Sequence, residues 1–305
     1  MKYVILCSNK NKYTFKYMEN ENVSVFSLYK NSNPSFLKRI IRKIVYFLGF
    51  KLNYMFYDEW INYINLDVQF IVFDECKPYF RLLKILKKLN NKAIIYFWNP
   101  IKKGKEVSKL KQYFYVFSYS ESDALNYCLN YNQTFLPTLK VMNYENKYDA
   151  FFVGKNKNRL KILEKIFLMF TNPFFHVIRD GKEKSIYINL KDKNNHLDYD
   201  SYLIKLQQSN VLIELIPQKN AGYTLRSLES FYFQKKLITN NSDILNCFLF
   251  DKGNILIIDD SLDCKKLDEF IKKDFVYYSK EEISRFSENA WLQRFVDKIK
   301  DMEGR

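Results

Sequence analysis

Ten short apolar runs, spaced along the whole chain, constrain its fold more than any other feature: 3–7, 23–28, 70–73, 93–98, 115–118, 150–153, 174–178, 211–215, 236–239 and 255–258. They are rich in Val, Ile, Phe and Tyr, and apolar residues fill consecutive rather than alternate positions. A strand with no polar side must be covered on both faces, and parallel sheets with crossover helices provide that cover. The intervening stretches read as helices. In 77–89, Leu82, Leu83, Leu86 and Leu89 share one side, and in 159–170 Leu160, Leu163, Ile166 and Phe167 do. Segments 199–208 and 225–233 repeat the period. The predicted class is α/β.

The 305 residues suit two domains of about 150 each, and 47% hydrophobic content suffices for two cores. The polar NYENKYD stretch precedes a fresh apolar strand, so the predicted domains are 1–145 and 146–305. Segment 281–299 reads as a helix carrying Phe286, Trp291, Phe295 and Val296. Its period alone leaves it free to return to the first domain or to cap the second.

The five cysteines are dispersed, with no CxxC pair, which argues for a reducing compartment and against a zinc site. With only His176 and His196 present, a His-based metal centre or triad is disfavoured. The opening apolar run is too short for a signal peptide, and no stretch of about 18 apolar residues occurs. The expected location is therefore the cytoplasm. A net charge of +15 favours an anionic partner, although a shift toward Lys, Asn, Ile, Tyr and Phe, as A+T-rich codons produce, explains it equally well.

Two segments carry the residue types that binding chemistry needs. In FFVGKNKNRLKIL, 151–163, Gly154 is expected to allow a turn after the strand, with Lys155, Lys157 and Arg159 gathered where a helix begins. A loop after a parallel strand is where α/β sheets bind ligands, and a helix start attracts phosphate. In NAGYTLRSLESFYFQKKLITNN, 220–241, Thr224 is positioned to cap a helix, and Arg226 and Glu229 share one of its faces. The turn Gly222-Tyr223-Thr224 could grip a phosphate or ribose, and a carboxylate one turn inside can accept two hydroxyls. A solvated basic turn and a capped helix with an ordinary i,i+3 ion pair fit the same residues.

The order of these two segments, then NILIIDD, then a terminal helix with Trp291, resembles bacterial GT-B glycosyltransferases that build capsule, O-antigen or lipooligosaccharide chains. The resemblance covers residues 149–295, and the Gly-x-Thr-x-Arg-x-x-Glu stretch is its most specific part. It implies two Rossmann-like domains whose parallel sheets face each other across a cleft, with the C-terminal helix crossing back. It further implies an N-terminal domain for a glycan or lipid-linked acceptor and a C-terminal domain for a nucleotide-sugar donor. By that likeness Glu229 would hold the ribose, while Lys155 and Arg159 would face the diphosphate. Gly222, Tyr223 and Thr224 would border sugar and phosphates. Gly154 and Arg226 complete the expected donor site. The chain departs from the Glu-x7-Glu pattern of many retaining members, since Ala221 stands eight positions before Glu229. No cofactor and no bound metal are expected.

An inverting enzyme needs a base within about 3 Å of the acceptor hydroxyl. Asp74 and Glu75 rank first, because adjacent carboxylates after a strand can raise one another's pKa. Glu121 and Asp123 follow; acidic helix starts would explain either pair. Asp198-Tyr199-Asp200 forms an Asp-x-Asp but opens a helix, so it reads as an N-cap. Segment 34–48 is a basic amphipathic helix, with Lys38, Arg39, Arg42 and Lys43 on one half of the wheel. Such a helix suits peripheral contact with an anionic membrane, or else packs its apolar half into the core with a solvated basic face. The alternative function, nucleic-acid binding, has no helix-turn-helix, zinc-finger or RNA motif behind it, and the first βα turn lacks the glycines of an epimerase.

Overall fold

A computed structural model describes residues 2–9, 15, 18–30, 35–47, 56–76, 93–101, 104–217, 222–259 and 261–304. They form two compact units: Met1–Gln133 with Trp291–Arg305, and Thr134–Ala290. The units part at 133/134, where the sequence placed the division at 145/146, so residues 134–145 go with the second.

The first unit is built on strands β1 (Lys2–Cys7), β2 (Val23–Ser27), β3 (Val68–Phe73), β4 (Ile94–Phe97), β5 (Tyr115–Ser118) and β6 (Asn130–Tyr131). They form one parallel sheet in the order β2-β1-β3-β4-β5-β6. Its described helices are α1 (Phe36–Phe47), α2 (Gly104–Leu110) and α3 (Glu121–Asn126); the helix predicted over 77–89 lies outside the described residues. Leu6, Phe70, Val72 and Ile95 bury one face against Trp60 and Leu110. The other face presents Phe73, Tyr96 and Phe117 to Trp291 and Phe295. Alternate residues of each strand thus serve opposite faces, both dry, as the unbroken apolar runs require.

The second unit carries β7 (Tyr148–Lys155), β8 (Phe174–Ile178), β9 (Ser209–Glu214), β10 (Lys236–Thr239) and β11 (Ile255–Ile257), all parallel, in the order β11-β10-β9-β7-β8. Its helices are α4 (Leu160–Phe167), α5 (Tyr199–Gln207), α6 (Leu225–Tyr232), α7 (Cys264–Lys272) and α8 (Lys280–Ser284), and α9 (Glu288–Glu303) starts here. Phe151, Leu212 and Leu237 face one core, while Phe152, Ile213 and Ile238 face the other.

The single terminal helix expected over 281–299 is two. The carbonyl of Phe286 accepts from the Leu136 amide at 2.9 Å, which takes it out of any helical ladder. Ser279 and Glu282 close a capping box on α8, and Ser287 Oγ accepts from the Ala290 amide where α9 begins. From Trp291 onward α9 belongs to the first unit, the return that the resemblance implied.

Candidate functional site

In both sheets the strand order reverses direction once, between β1 and β3 and between β7 and β9. Crevices beyond the carboxyl ends of such strand pairs are where open α/β sheets bind ligands.

At the β7/β9 crevice the predicted turn at Gly154 is not a turn. Gly154 pairs with Val177 inside β7, and the strand runs on to Lys155. A Cβ on Gly154 would meet Phe152 at 3.4 Å and Arg159 at 3.7 Å, ordinary van der Waals contacts, so neither packing nor backbone conformation demands glycine here. The chain reverses at Lys157 and Asn158, both left-handed, after the buried Asn156. Asn156 Oδ1 accepts from the Arg159 amide at 3.0 Å where α4 begins.

Arg159 and Arg226 converge on the strand ends. Arg226 Nη1 donates to Ile213 O at 3.0 Å and Nη2 to Val153 O at 3.1 Å. Arg159 donates to the carbonyls of Leu215, Lys155 and Asn156. Pairing between β7 and β9 runs through Phe151 and Leu212, and beyond it the guanidinium groups bridge the two strands. Burial, and then the charge of Arg226, pushes the Arg159 pKa down to about 10. Arg226 is itself opposed by burial, but Tyr202 and Glu229 outweigh that and hold its pKa above the usual value.

Glu229 is 2% exposed. Its carboxylate accepts from the hydroxyls of Tyr202 and Tyr199 and lies 3.5 Å from Arg226 Nε. Burial pushes its pKa up against the pull of Arg226 and the tyrosines. The structure therefore places Glu229 beneath Arg226, as its buried counter-ion, with Tyr199 and Tyr202 stacked 5.4 Å apart beside it.

Thr224 caps α6 as expected, accepting from the Arg226 amide at 3.1 Å, and its hydroxyl donates to Glu214. Gly222 is left-handed, at φ 67°; its amide donates to Asp243 Oδ2 at 2.7 Å and its carbonyl accepts from Asn241 at 2.8 Å. Tyr223 is buried with its ring 6.2 Å from Phe286, and Lys155 is exposed at the rim. The structure brings together Gly154, Arg159, Arg226, Glu229 and Thr224. The sequence reading missed Glu214, which accepts from Thr224, Ser227 and Thr239. A carboxylate inside an otherwise apolar strand was the available signal. It also missed Tyr199, Tyr202 and Asp243.

In the first unit Asp74 follows β3 and is buried. Its oxygens accept from the Trp98 amide at 3.3 Å and from Asn99 Nδ2 at 3.1 Å, so it clamps the loop after β4. Glu75, beside it, is half-buried. Asp123 accepts from the Ile101 amide at 2.9 Å, and burial raises its pKa. Asp198 caps α5, its Oδ1 accepting from Ser201 N at 2.9 Å.

A cavity of about 790 Å³ opens at the opposite, amino edge of the second sheet. Lysines there meet helix C-termini: Lys235 Nζ donates to Gln207 O at 2.9 Å and Lys236 Nζ to Ile271 O at 2.8 Å. Cations are favoured at these ends, so the lining reads as helix capping.

Among solved structures, the chain is similar to an apo lipopolysaccharide outer core galactosyltransferase, WaaB, at 15% identity and TM-score 0.54, covering 99% of this chain and 100% of that one. It is also similar to a trehalose-6-phosphate synthase from E. coli bound with UDP-2-fluoro glucose, at 12% identity and TM-score 0.57, covering 98% and 99%. No protein-family model and no curated protein sequence matches it. The shared architecture is the GT-B fold of two Rossmann-like units.

Proposed function

We propose that this GT-B chain is a glycosyltransferase, moving a hexosyl group from a nucleotide-diphosphate sugar to a glycan or lipid-linked acceptor in bacterial surface-polysaccharide assembly. The supporting observation is the arginine pair at the β7/β9 switch point. Two guanidinium groups share a partly desolvated site in which the charge of Arg226 lowers the Arg159 pKa; Glu229 and Glu214 act on Arg226 from below, and Asp180 acts on Arg159. Such a site is relieved by an anion, and a pyrophosphate supplies the charge and the oxygens. Three of the five N–H groups of Arg159 are spent on carbonyls, leaving two for a ligand.

In the proposed reaction the bond from the anomeric carbon to the donor phosphate breaks and one to the acceptor oxygen forms. Negative charge develops on the departing diphosphate beside Arg159 and Arg226, where fixed cations stabilise it most. Gly222 and Thr224 border the sugar and phosphates, and Lys155 reaches the diphosphate from the rim. Where the acceptor proton needs a base, Glu75 takes it, and Asp74 fixes the neighbouring loop. The reaction uses no bound metal, and Asp198 is committed to its helix cap. Titration calorimetry with UDP, GDP and CDP tests the reading: one diphosphate should bind, and tighter than its monophosphate. Failure of all three would remove the donor site from the second unit.

A further inference from the structure

Helix α1 is inverted relative to an ordinary surface helix. At about 100° per residue, Leu37, Ile40 and Ile44 lie at the centre of its apolar arc and Arg42 roughly opposite. A helix of this pattern normally turns the arc inward. Here Arg42 turns inward instead, its guanidinium carbon 3.7 Å from the centroid of the Tyr29 ring. Tyr29 stacks on Tyr57 at 5.5 Å, and Tyr57 packs on the fully buried Trp60. The helix is thus moored to the first unit through Arg42 and an aromatic stack, with Val45 half-buried beside it, and the centre of the apolar arc faces out: Phe36 is 77% exposed, Leu37 66% and Ile44 52%. This overturns the reading in which α1 packs its apolar half into the core.

Exposed apolar surface of this kind marks an interface, and the charges around it select the partner. Lys38 borders one margin of the arc, Arg39 and Lys43 the other, and the helix contains no acidic residue. Long basic side chains at both margins can reach up to phosphates while the arc enters hydrocarbon. A protein partner would have to offer an apolar trough rimmed on both sides by acids, whereas an anionic bilayer surface presents both everywhere. We propose that α1 is a docking helix that lies flat on an anionic lipid bilayer.

The test is co-sedimentation of the full chain with vesicles of phosphatidylcholine alone and of phosphatidylcholine mixed with phosphatidylglycerol, without nucleotide. The chain should sediment with the anionic vesicles and release with salt. The double variant Ile40→Glu, Ile44→Glu places its changes on exposed side chains, so it should melt as the parent does and stay in the supernatant. Lys38→Glu and Lys43→Glu should each weaken partitioning by about fivefold or more. No binding by the parent overturns the proposal, as does equal binding by the double variant. Light scattering that shows a parent dimer and a variant monomer, with no vesicle binding, assigns the face to self-association and also overturns it. Nucleotide binding is read separately, so failure here leaves the donor reading intact.

Discussion

Arg226 and Arg159 tie the same two strands together at successive levels. Arg226 bridges Val153 and Ile213, and Arg159 bridges Lys155 and Leu215, two residues further along each strand. One residue comes from the start of α4 and the other from the start of α6, so each helix is pinned to the seam that it borders. The same groups close the sheet and charge its carboxyl edge.

Arg159→Gln should therefore weaken nucleotide-diphosphate binding by roughly ten- to a hundredfold, the size of a charged hydrogen bond lost. Calorimetric titration of the variant checks this, with its circular dichroism as a control for folding. An unchanged affinity would remove Arg159 from the site.

Glu229→Ala should destabilise the second unit by about 3–5 kcal/mol, because it leaves the buried Arg226 without its counter-ion. Donor binding should fall with it. Glu229→Gln keeps the acceptor oxygen for Tyr202 and should cost less stability. Denaturant unfolding of both variants gives the comparison; equal loss in the two would assign the whole effect to the charge, and parent-like stability of Glu229→Gln would mean that charge is not what Glu229 supplies.

Glu75→Gln should lower turnover by roughly a hundredfold or more if it removes the acceptor's proton, with little change in melting temperature. Asp74→Asn should instead show first in stability, since both oxygens of Asp74 hold the loop after β4. Full turnover in both variants discards the pair as the source of a base.

Burial pushes the Lys235 amine down to about 8 from its ordinary 10.5. Between those values the unfolded chain binds more protons than the native one, so this residue makes stability rise with pH across that window and withholds the gain below it. Lys235→Met should flatten that slope. Guanidinium unfolding of parent and variant at about pH 8 and about pH 10 measures the difference, and parallel slopes would assign the effect elsewhere.

Turnover should survive EDTA. Loss of activity on chelation, with recovery on adding Mg²⁺ or Mn²⁺, would return Asp198 and Asp200 to consideration as ligands.

The strands were legible because dry strands leave consecutive apolar letters, and the ten runs mark β1–β5 and β7–β11. Strand β6, only Asn130–Tyr131, leaves no run. Helix α7 was missed because Leu267, Phe270 and Ile271 stand among lysines and acids. The cap at Thr224 could be read from local spacing, since an N-cap bonds within a few residues. The bridging by the two arginines could not, because its acceptors are backbone carbonyls, which every residue has. Nor could the wheel of α1 say which side turns inward: that depends on Tyr29, a residue outside the helix. The broken terminal helix failed for the same reason, its interruption being set by Leu136.

Trp291 and Phe295 follow the whole second unit in the chain, yet they close the aromatic face formed by Phe73, Tyr96 and Phe117. The second unit is thus spliced into the first as an insertion, and a ribosome must translate all of that insertion before the earlier sheet receives its cover. Until then the amino-terminal strands emerge with one greasy side bare, a window in which chaperones or proteases can act. A stop codon just ahead of Trp291 would spare every residue of the β7/β9 crevice and still leave the other unit unable to complete its core.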